Sequence, residues 1–407
     1  MSLNDQLRQL LGDEITEKQL LEKFSFEKVV GSGATAKVYI AYDYQEKREV
    51  AIKVFDKAMM IEQRKSIAND GYNSKDTAVQ RARRRLKKII CEIDIAKRLD
   101  HDNIIKYLGG YETSHRICIV QELVDGTDLL QHILDEDKMG ETTAAYVFEQ
   151  LLRALEYCHS YNVWHRDLKL ENVLISSSHQ IKLIDFGLSE RTEEFLKTVC
   201  GTPLYCAPEL LFLNSNTRAT GVHGGPADIW SAGVLLFALV TGCAPFDDST
   251  FASLRQDVYR NAITYPETMS LGLQEFLRSI FVTDVRVRPS ISELLAHPWL
   301  VQNVANYKIK MSPTAYVKPP RTVSVISDAE TVEESNASCE DDDNGPEDVS
   351  YRDMLYDEML DDELYLDDSP RDVKSPRAYY SPRKPSNQTS SKVQVNNTPL
   401  NCFAHLF

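Results

Sequence analysis

No two of the eight cysteines are spaced as a CxxC pair; Cys200 and Cys206 come closest. That pattern gives neither a zinc site nor a disulfide framework. Reduced thiols in an intracellular compartment are expected instead. Basic residues are outnumbered: 46 Lys and Arg face 61 Asp and Glu, for a net charge of −15. Such a balance argues against a chain that coats nucleic acid or an anionic membrane. No run reaches the ~18 apolar residues that a membrane span needs, and VLLFALVTG at 234–242 is half that long. MSLNDQLRQLLGDE lacks a basic segment followed by a long apolar run, so no secretory signal is expected. Cys402 stands too far from the last residue for a prenylation box. The expectation is a soluble, mostly monomeric protein of the cytoplasm or nucleus, with no nucleic-acid or membrane partner.

What is present divides the 407 residues into three regions. Residues 1–23 read as a short amphipathic segment, with Leu3, Leu7, Leu10 and Leu11 at helical spacing. Residues 24–300 carry regular apolar periodicity. Residues 301–407 hold 11 Lys and Arg against 19 Asp and Glu, many of the acids between Glu340 and Asp368. A composition of that kind favours disorder. The same tail repeats Ser-Pro-Arg at Ser369, Ser375 and Ser381, too short a period for a solenoid. In the middle region FEKVVGSGATAKVYIAYDYQEKREVAIKVFDK predicts three antiparallel strands. A basic insertion, 61–90, leads into a helix through Glu92 and Arg98. Helices dominate from about 127, as in TAAYVFEQLLRALEYCHS. A sheet-rich part followed by a helix-rich part predicts two lobes with a cleft between them.

Several stretches carry chemistry. In VGSGATAKV (Val30, Gly31, Ser32, Gly33, Ala34, Thr35, Ala36, Lys37, Val38) the glycines let backbone amides approach a polyphosphate. A strand follows them, so a dinucleotide fingerprint, which needs a helix there, does not apply. Lys53 sits mid-strand between Ile52 and Val54, a costly place for a cation unless an anion meets it. Glu92 is one candidate partner and bound phosphates are another. VWHRDLKLENVLI places His165, Arg166, Asp167, Lys169 and Asn172 between two short apolar strands, Val163-Trp164 and Val173-Ile175. Asp167 can orient an attacking hydroxyl and take its proton, and Lys169 can neutralise charge on a transferring group. Asp185 follows an apolar strand and precedes Phe186-Gly187. With Asn172 it offers the oxygen ligands that Mg²⁺ prefers.

These residues, with Ala207-Pro208-Glu209, Asp228-Ile229-Trp230-Ser231, Arg288 and His297-Pro298-Trp299, stand in the order and spacing of the eukaryotic protein kinases. The chain resembles that family over about 24–300. Ala36 departs from it, standing where a third glycine is expected. Lys169 and GTPLYCAPE resemble serine/threonine kinases. EFLKTVCGTPLYCAPE is similar to the AMP-activated and calmodulin-dependent group, whereas the basic insertion and CAPFDDSTF are similar to kinases acting upstream of it. The resemblance implies an α+β bilobal fold, with an antiparallel sheet-rich N-lobe, a helical C-lobe and a disordered acidic C-terminal tail. It also implies ATP and Mg²⁺ as cofactors and phosphoryl transfer to Ser or Thr of protein substrates in signalling. Adenine would meet the backbone at Glu122 and Val124, with Gln121 behind, and Glu209 would pair with Arg288. Thr198 would carry an activating phosphate sensed by Arg166, which brings in an upstream kinase. Asp128, Glu171 and Thr202 would face the substrate, the two acids favouring basic residues near the acceptor. A regulatory protein partner is a further expectation, as is docking of the acidic tail on the basic insertion. The alternative is a pseudokinase scaffold, which would have no need of Lys53, Asp167, Asn172 and Asp185 together.

Overall fold

The computed structural model describes residues 2–33, 36–62, 78–196, 198, 200–212 and 221–312. Ala34, Thr35, most of the first half of the basic insertion (63–77) and the tail from 313 lie outside them. So do the expected tail disorder and the expected docking of tail on insertion.

The β-branched and aromatic runs that begin at Phe24 form β1 (Phe24–Ser32), β2 (Ala36–Asp43) and β3 (Arg48–Asp56). Two more strands, β4 (Tyr107–Glu112) and β5 (Arg116–Glu122), complete an antiparallel sheet in the order β1-β2-β3-β5-β4. Strand β3 is central, and Lys53 is in register with Val38 on one side and Ile119 on the other. Alternation sends Val50, Ile52 and Val54 to one face and Lys53 and Phe55 to the other. Both faces are covered. The first packs with Leu20 and Phe24, the second with residues of the helix that bears Glu92.

The amphipathic N-terminal segment is two helices and not one: α1 (Leu3–Leu11) and α2 (Glu17–Lys23). Gly12, at φ +85°, ends the first in a conformation that glycine tolerates best. Each helix opens with a reciprocal capping box, Ser2 with Asp5 and Thr16 with Gln19. After the short α3 (Met59–Glu62) comes α4 (Ala78–Ala96). The second half of the basic insertion is therefore helical, with Arg81, Arg83, Arg84, Arg85, Lys87 and Lys88 in one run.

The helical lobe is built from α5 (Leu129–Glu136), α6 (Glu141–Ser160), α7 (Pro208–Leu211), α8 (Gly224–Thr241), α9 (Phe251–Arg260), α10 (Leu271–Ile280), α11 (Ile291–Leu295) and α12 (Pro298–Met311). Helix α8 is apolar nearly all round because it runs through the centre of the lobe, buried from Ile229 to Leu239 except at Ser231. Its one acid, Asp228, is also buried. Short strands β6 (Thr127–Asp128), β7 (Val163–Trp164), β8 (Val173–Ile175), β9 (Ile181–Leu183) and β10 (Glu190–Arg191) line the side that faces the sheet. The division expected at residue 300 falls inside a helix. Pro298 begins α12 at a position where its missing N–H costs nothing, and Val304 and Tyr307 are buried. Tyr307 stacks on Tyr146 at 4.1 Å and shares a hydrogen bond with His179 Nδ1 at 2.8 Å.

Candidate active site

Three separate elements meet at one ion-pair cluster. Lys53 Nζ of β3 lies 2.6 Å from Glu92 Oε1 of α4 and 2.9 Å from Asp185 Oδ1, just beyond β9. Burial opposes the charge on Lys53, but the two carboxylates outweigh it and hold its pKa above that of an ordinary lysine. Burial likewise opposes ionisation of Asp185; Lys53 and the Gly187 N–H reverse that and bring the carboxyl down to about 2. Glu92 is sealed at 6% side-chain exposure, whereas Asp185 opens to the cleft at 45%. A Cβ at Gly187 would sit 3.0 Å from Asp185 Oδ1 and 3.3 Å from Glu92 Oε2, so only glycine fits comfortably there.

The loop between β7 and β8 is held in an unusual shape. Arg166 has a φ of +69°, a region that costs a non-glycine residue about 1–2 kcal/mol. Buried Asp228 offsets this by accepting the backbone N–H groups of His165 and Arg166, at 2.9 Å each. The His165 ring hydrogen-bonds the Ile184 carbonyl at 3.2 Å and meets Phe186 edge-on. Asp167 is therefore fixed from several sides. Thr202 donates its N–H and its hydroxyl to Asp167 Oδ1, both at 3.0 Å. Asn172 Nδ2 donates to the Asp167 carbonyl at 2.8 Å and to Oδ2 at 3.3 Å, and Lys169 Nζ stands 3.6 Å from Oδ2.

Thr202 was expected at the substrate; here its hydroxyl orients Asp167. Asp128 is the N-cap of α5, accepting from Gln131 N at 2.8 Å. Glu171 and Asn172 form a single 3₁₀ turn with Leu170.

The glycine loop caps the cleft as a hairpin. Gly31 pairs with Val38, next to a bulge after Val29, and the Gly33 N–H donates to Ala36 O at 2.9 Å. Val30, Ser32 and Lys37 are exposed. Among the described residues, a Cβ on Gly31 or Gly33 would meet nothing closer than 3.5 Å. The described part of the fold therefore places no steric demand for glycine at either position. At the hinge, Glu122 Oε1 accepts from Lys182 Nζ at 2.6 Å and from Lys106 N at 2.9 Å, locking β5 to β9. Val124, half-buried, packs against the core of the helical lobe.

Magnesium finds a fitting donor set here. The Asn172 amide nitrogen is committed to Asp167, so its side-chain oxygen is the atom that would hold the ion. Asp185 opens its carboxylate to the cleft. Among the described residues no cluster of three or more His, Cys, Asp or Glu stands ready for a metal. Mg²⁺ held by one or two side chains, phosphates and water does not need one.

Beside the loop, Arg166 spreads its guanidinium between two elements of the following segment. Nη1 pairs with the Glu190 carboxylate, while Nη2 donates to Thr198 Oγ1 at 2.5 Å and to Thr198 O at 3.0 Å. Gly201 brings this segment against the loop: at φ +101°, its Cβ would lie 2.4 Å from Arg166 O. Residues 197 and 199 are outside the described set. Sequence reasoning missed Glu190 as a partner of Arg166, and nothing in the order of residues signals it. The Glu122 lock was missed too, for the same reason.

A sheet lobe and a helical lobe that clamp a paired lysine, a fixed carboxylate and two metal-oxygen donors between them are the architecture of a protein kinase. The protein kinase domain family matches residues 24–300, and the chain belongs to that family. Several of the curated relatives that it resembles are named as serine/threonine kinases. The SNF1-related protein kinase catalytic subunit alpha KIN12 of Arabidopsis thaliana is 35% identical over 291 residues, covering 71% of this chain and 53% of that protein. CBL-interacting protein kinase 31 of Oryza sativa subsp. japonica is 34% identical over 287 residues, covering 69% and 58%. Maternal embryonic leucine zipper kinase of Xenopus tropicalis is 34% identical over 289 residues, covering 70% and 40%. The chain spans between 32% and 59% of the length of the curated relatives it matches.

Proposed function

We propose that the chain transfers the γ-phosphoryl group of ATP to serine or threonine hydroxyls of proteins in signalling. The observation that carries this reading is the fixed Asp167 carboxylate, set in the same cleft as the closed Lys53–Glu92–Asp185 cluster. The substrate hydroxyl bonds to the γ-phosphorus, its proton passes to Asp167, and the bond from that phosphorus to the bridging oxygen breaks to release ADP. Lys53 binds the phosphates in line, and Lys169 faces the charge that develops on the transferred group. Asn172 and Asp185 would hold Mg²⁺, which supplies neutralising charge to the phosphate oxygens. Nothing favours the scaffold alternative, since all four groups it would not need are present together. Radiolabelled ATP with a serine/threonine peptide library tests the reading directly; no label above that of an Asp167→Asn control would refute it.

Phosphorylation of Thr198 completes the proposed switch. The Thr198 hydroxyl already touches Arg166, so a phosphate there gains charge-assisted hydrogen bonds without rebuilding the loop. Glu190 holds the other side of the guanidinium and keeps part of the loop order in place beforehand. Thr198→Ala should therefore lower kcat about tenfold, a change of about 1.4 kcal/mol, and not abolish it. Thr198→Ala with Glu190→Gln should fall further. Equal single-turnover rates for phosphorylated and phosphatase-treated enzyme would count against this.

The substrate preference proposed is for Arg or Lys a few residues before the acceptor, met by Asp128 and Glu171. Because Asp128 also caps α5, the test variant is Asp128→Asn, which keeps the cap and removes the charge. The KM for a basic peptide should rise about fivefold with kcat unchanged, a loss of about 1 kcal/mol of exposed charge pairing. A library that selects acidic or proline-directed sites would overturn the assignment. Three of the relatives are named for interaction with CBL, which supports a regulatory protein partner for this chain as well.

A further inference from the structure

Helix α1 lies outside the region that matches the kinase domain, yet it is seated on the helix that carries Glu92. Leu7 is 1% exposed and joins an apolar cluster with Phe55 of β3, Ile89, Ile90 and Ile93 of α4, and Ile119 of β5. Both ends of the Lys53–Glu92 ion pair adjoin that cluster. Ile93 is the neighbour of Glu92, and the Lys53 ammonium stands 5.4 Å from the centre of the Phe55 ring. The far end of α1 is fastened as well. Lys97, just past α4, donates to the Leu10 carbonyl at 2.7 Å, placing a cation at the negative end of α1. Leu11 approaches β4 so closely that a Cβ on Gly110 would come 2.6 Å from its Cδ2.

Neither helix is well supported alone. Nine residues are too few for a stable isolated helix in water. Helix α4 has no acid in its first turn and five cations in its first half, against the direction its dipole favours. Each helix is the other's support.

We propose that α1 is a built-in clamp on α4, with Leu7 as a positioning residue that holds Glu92 against Lys53 and so sets the affinity for ATP and the rate of transfer. The effect runs through the Lys53–Glu92 pair. It should therefore appear in kcat and in the KM for ATP, and leave the KM for the peptide substrate unchanged. This rests on the proposed transfer activity, whereas docking of α1 can be read without it.

The experiment uses the full chain with Leu7→Asp, which puts a carboxylate into the apolar cluster and releases α1. Activity is measured with and without a synthetic peptide of residues 1–14. We expect kcat/KM for ATP to fall about tenfold or more and to return saturably with the peptide. A peptide carrying the same Leu7→Asp change should restore nothing. Should Leu7→Asp fail to fold, Leu7→Ala with Lys97→Met takes its place and should show a smaller loss with the same rescue. Hydrogen exchange of the α4 amides should quicken in the variant and slow again with the peptide, whether or not the wild type transfers phosphate. Unchanged kinetics in a variant whose α1 has been released would overturn the proposal. So would a loss that the peptide cannot restore, since that would mark α1 as mere packing. A wild-type enzyme with no transfer at all would strike the functional reading and leave the exchange result to decide the clamp.

Discussion

Asp185→Asn should leave the protein folded and lower kcat at least about a thousandfold, or about 4 kcal/mol of transition-state stabilisation. The side chain keeps its shape and opens to the cleft at 45% exposure, so the loss falls on chemistry and not on the core. The carboxyl, brought down to about 2, is anionic throughout the neutral range. What Asn removes is therefore a full negative charge beside Lys53 and the carboxylate that would hold the proposed Mg²⁺. Lys53→Met should be as inactive but harder to interpret, because it leaves the sealed Glu92 carboxylate with no cation. Single-turnover transfer, with circular dichroism as the control for folding, decides the matter. Residual activity within tenfold of wild type would sink the assignment of Asp185.

Arg288→Ala should produce the largest loss of stability, about 3–5 kcal/mol, because it breaks a pair whose partner stays buried. Arg288 has a side-chain exposure of 0%, and its fork grips Glu209 through both nitrogens at 2.8 and 3.0 Å. The remaining donors reach Pro226 O at 2.6 Å and Val282 O at 2.9 Å, and the plane lies over Trp230. Lysine cannot reproduce that fork, so Arg288→Lys should recover only part of the loss. Melting should come about 10 °C earlier for the alanine variant, at the size of this domain. A shift of only 1 or 2 °C would show that the lobe does not depend on the pair. Helix α7, which carries Glu209, follows directly after the segment that holds Asp167 through Thr202. Activity should therefore fade at temperatures below the melting point.

The strands from Phe24 to Asp56 were legible because period-two alternation and turn residues are local properties of the chain. The same holds for α6, whose apolar spacing declares its buried face. Lys53, Asp167, Asn172 and Asp185 stand out as candidates for a related reason. A cation inside an apolar strand, or an acid on a polar loop between two apolar strands, is conspicuous before any folding is known. The one amphipathic segment expected at the N-terminus became two helices because Gly12 takes a left-handed turn, which leucine spacing does not report. The boundary expected at 300 is where the kinase-domain match ends, and α12 runs on to Met311 because Tyr307 finds a partner more than a hundred residues away in sequence.

What the order of residues determined by itself is therefore most of the elements and which groups are candidates for the chemistry, since both depend on neighbours within a few positions. Which groups touch was decided only by the tertiary structure. Glu190 on Arg166, Thr202 on Asp167, the Glu122 lock on Lys182 and the α1 clamp on α4 all join residues far apart in the chain. An exposed acid and a buried partner look alike in a sequence, because burial and pairing arise only when lobes and helices pack.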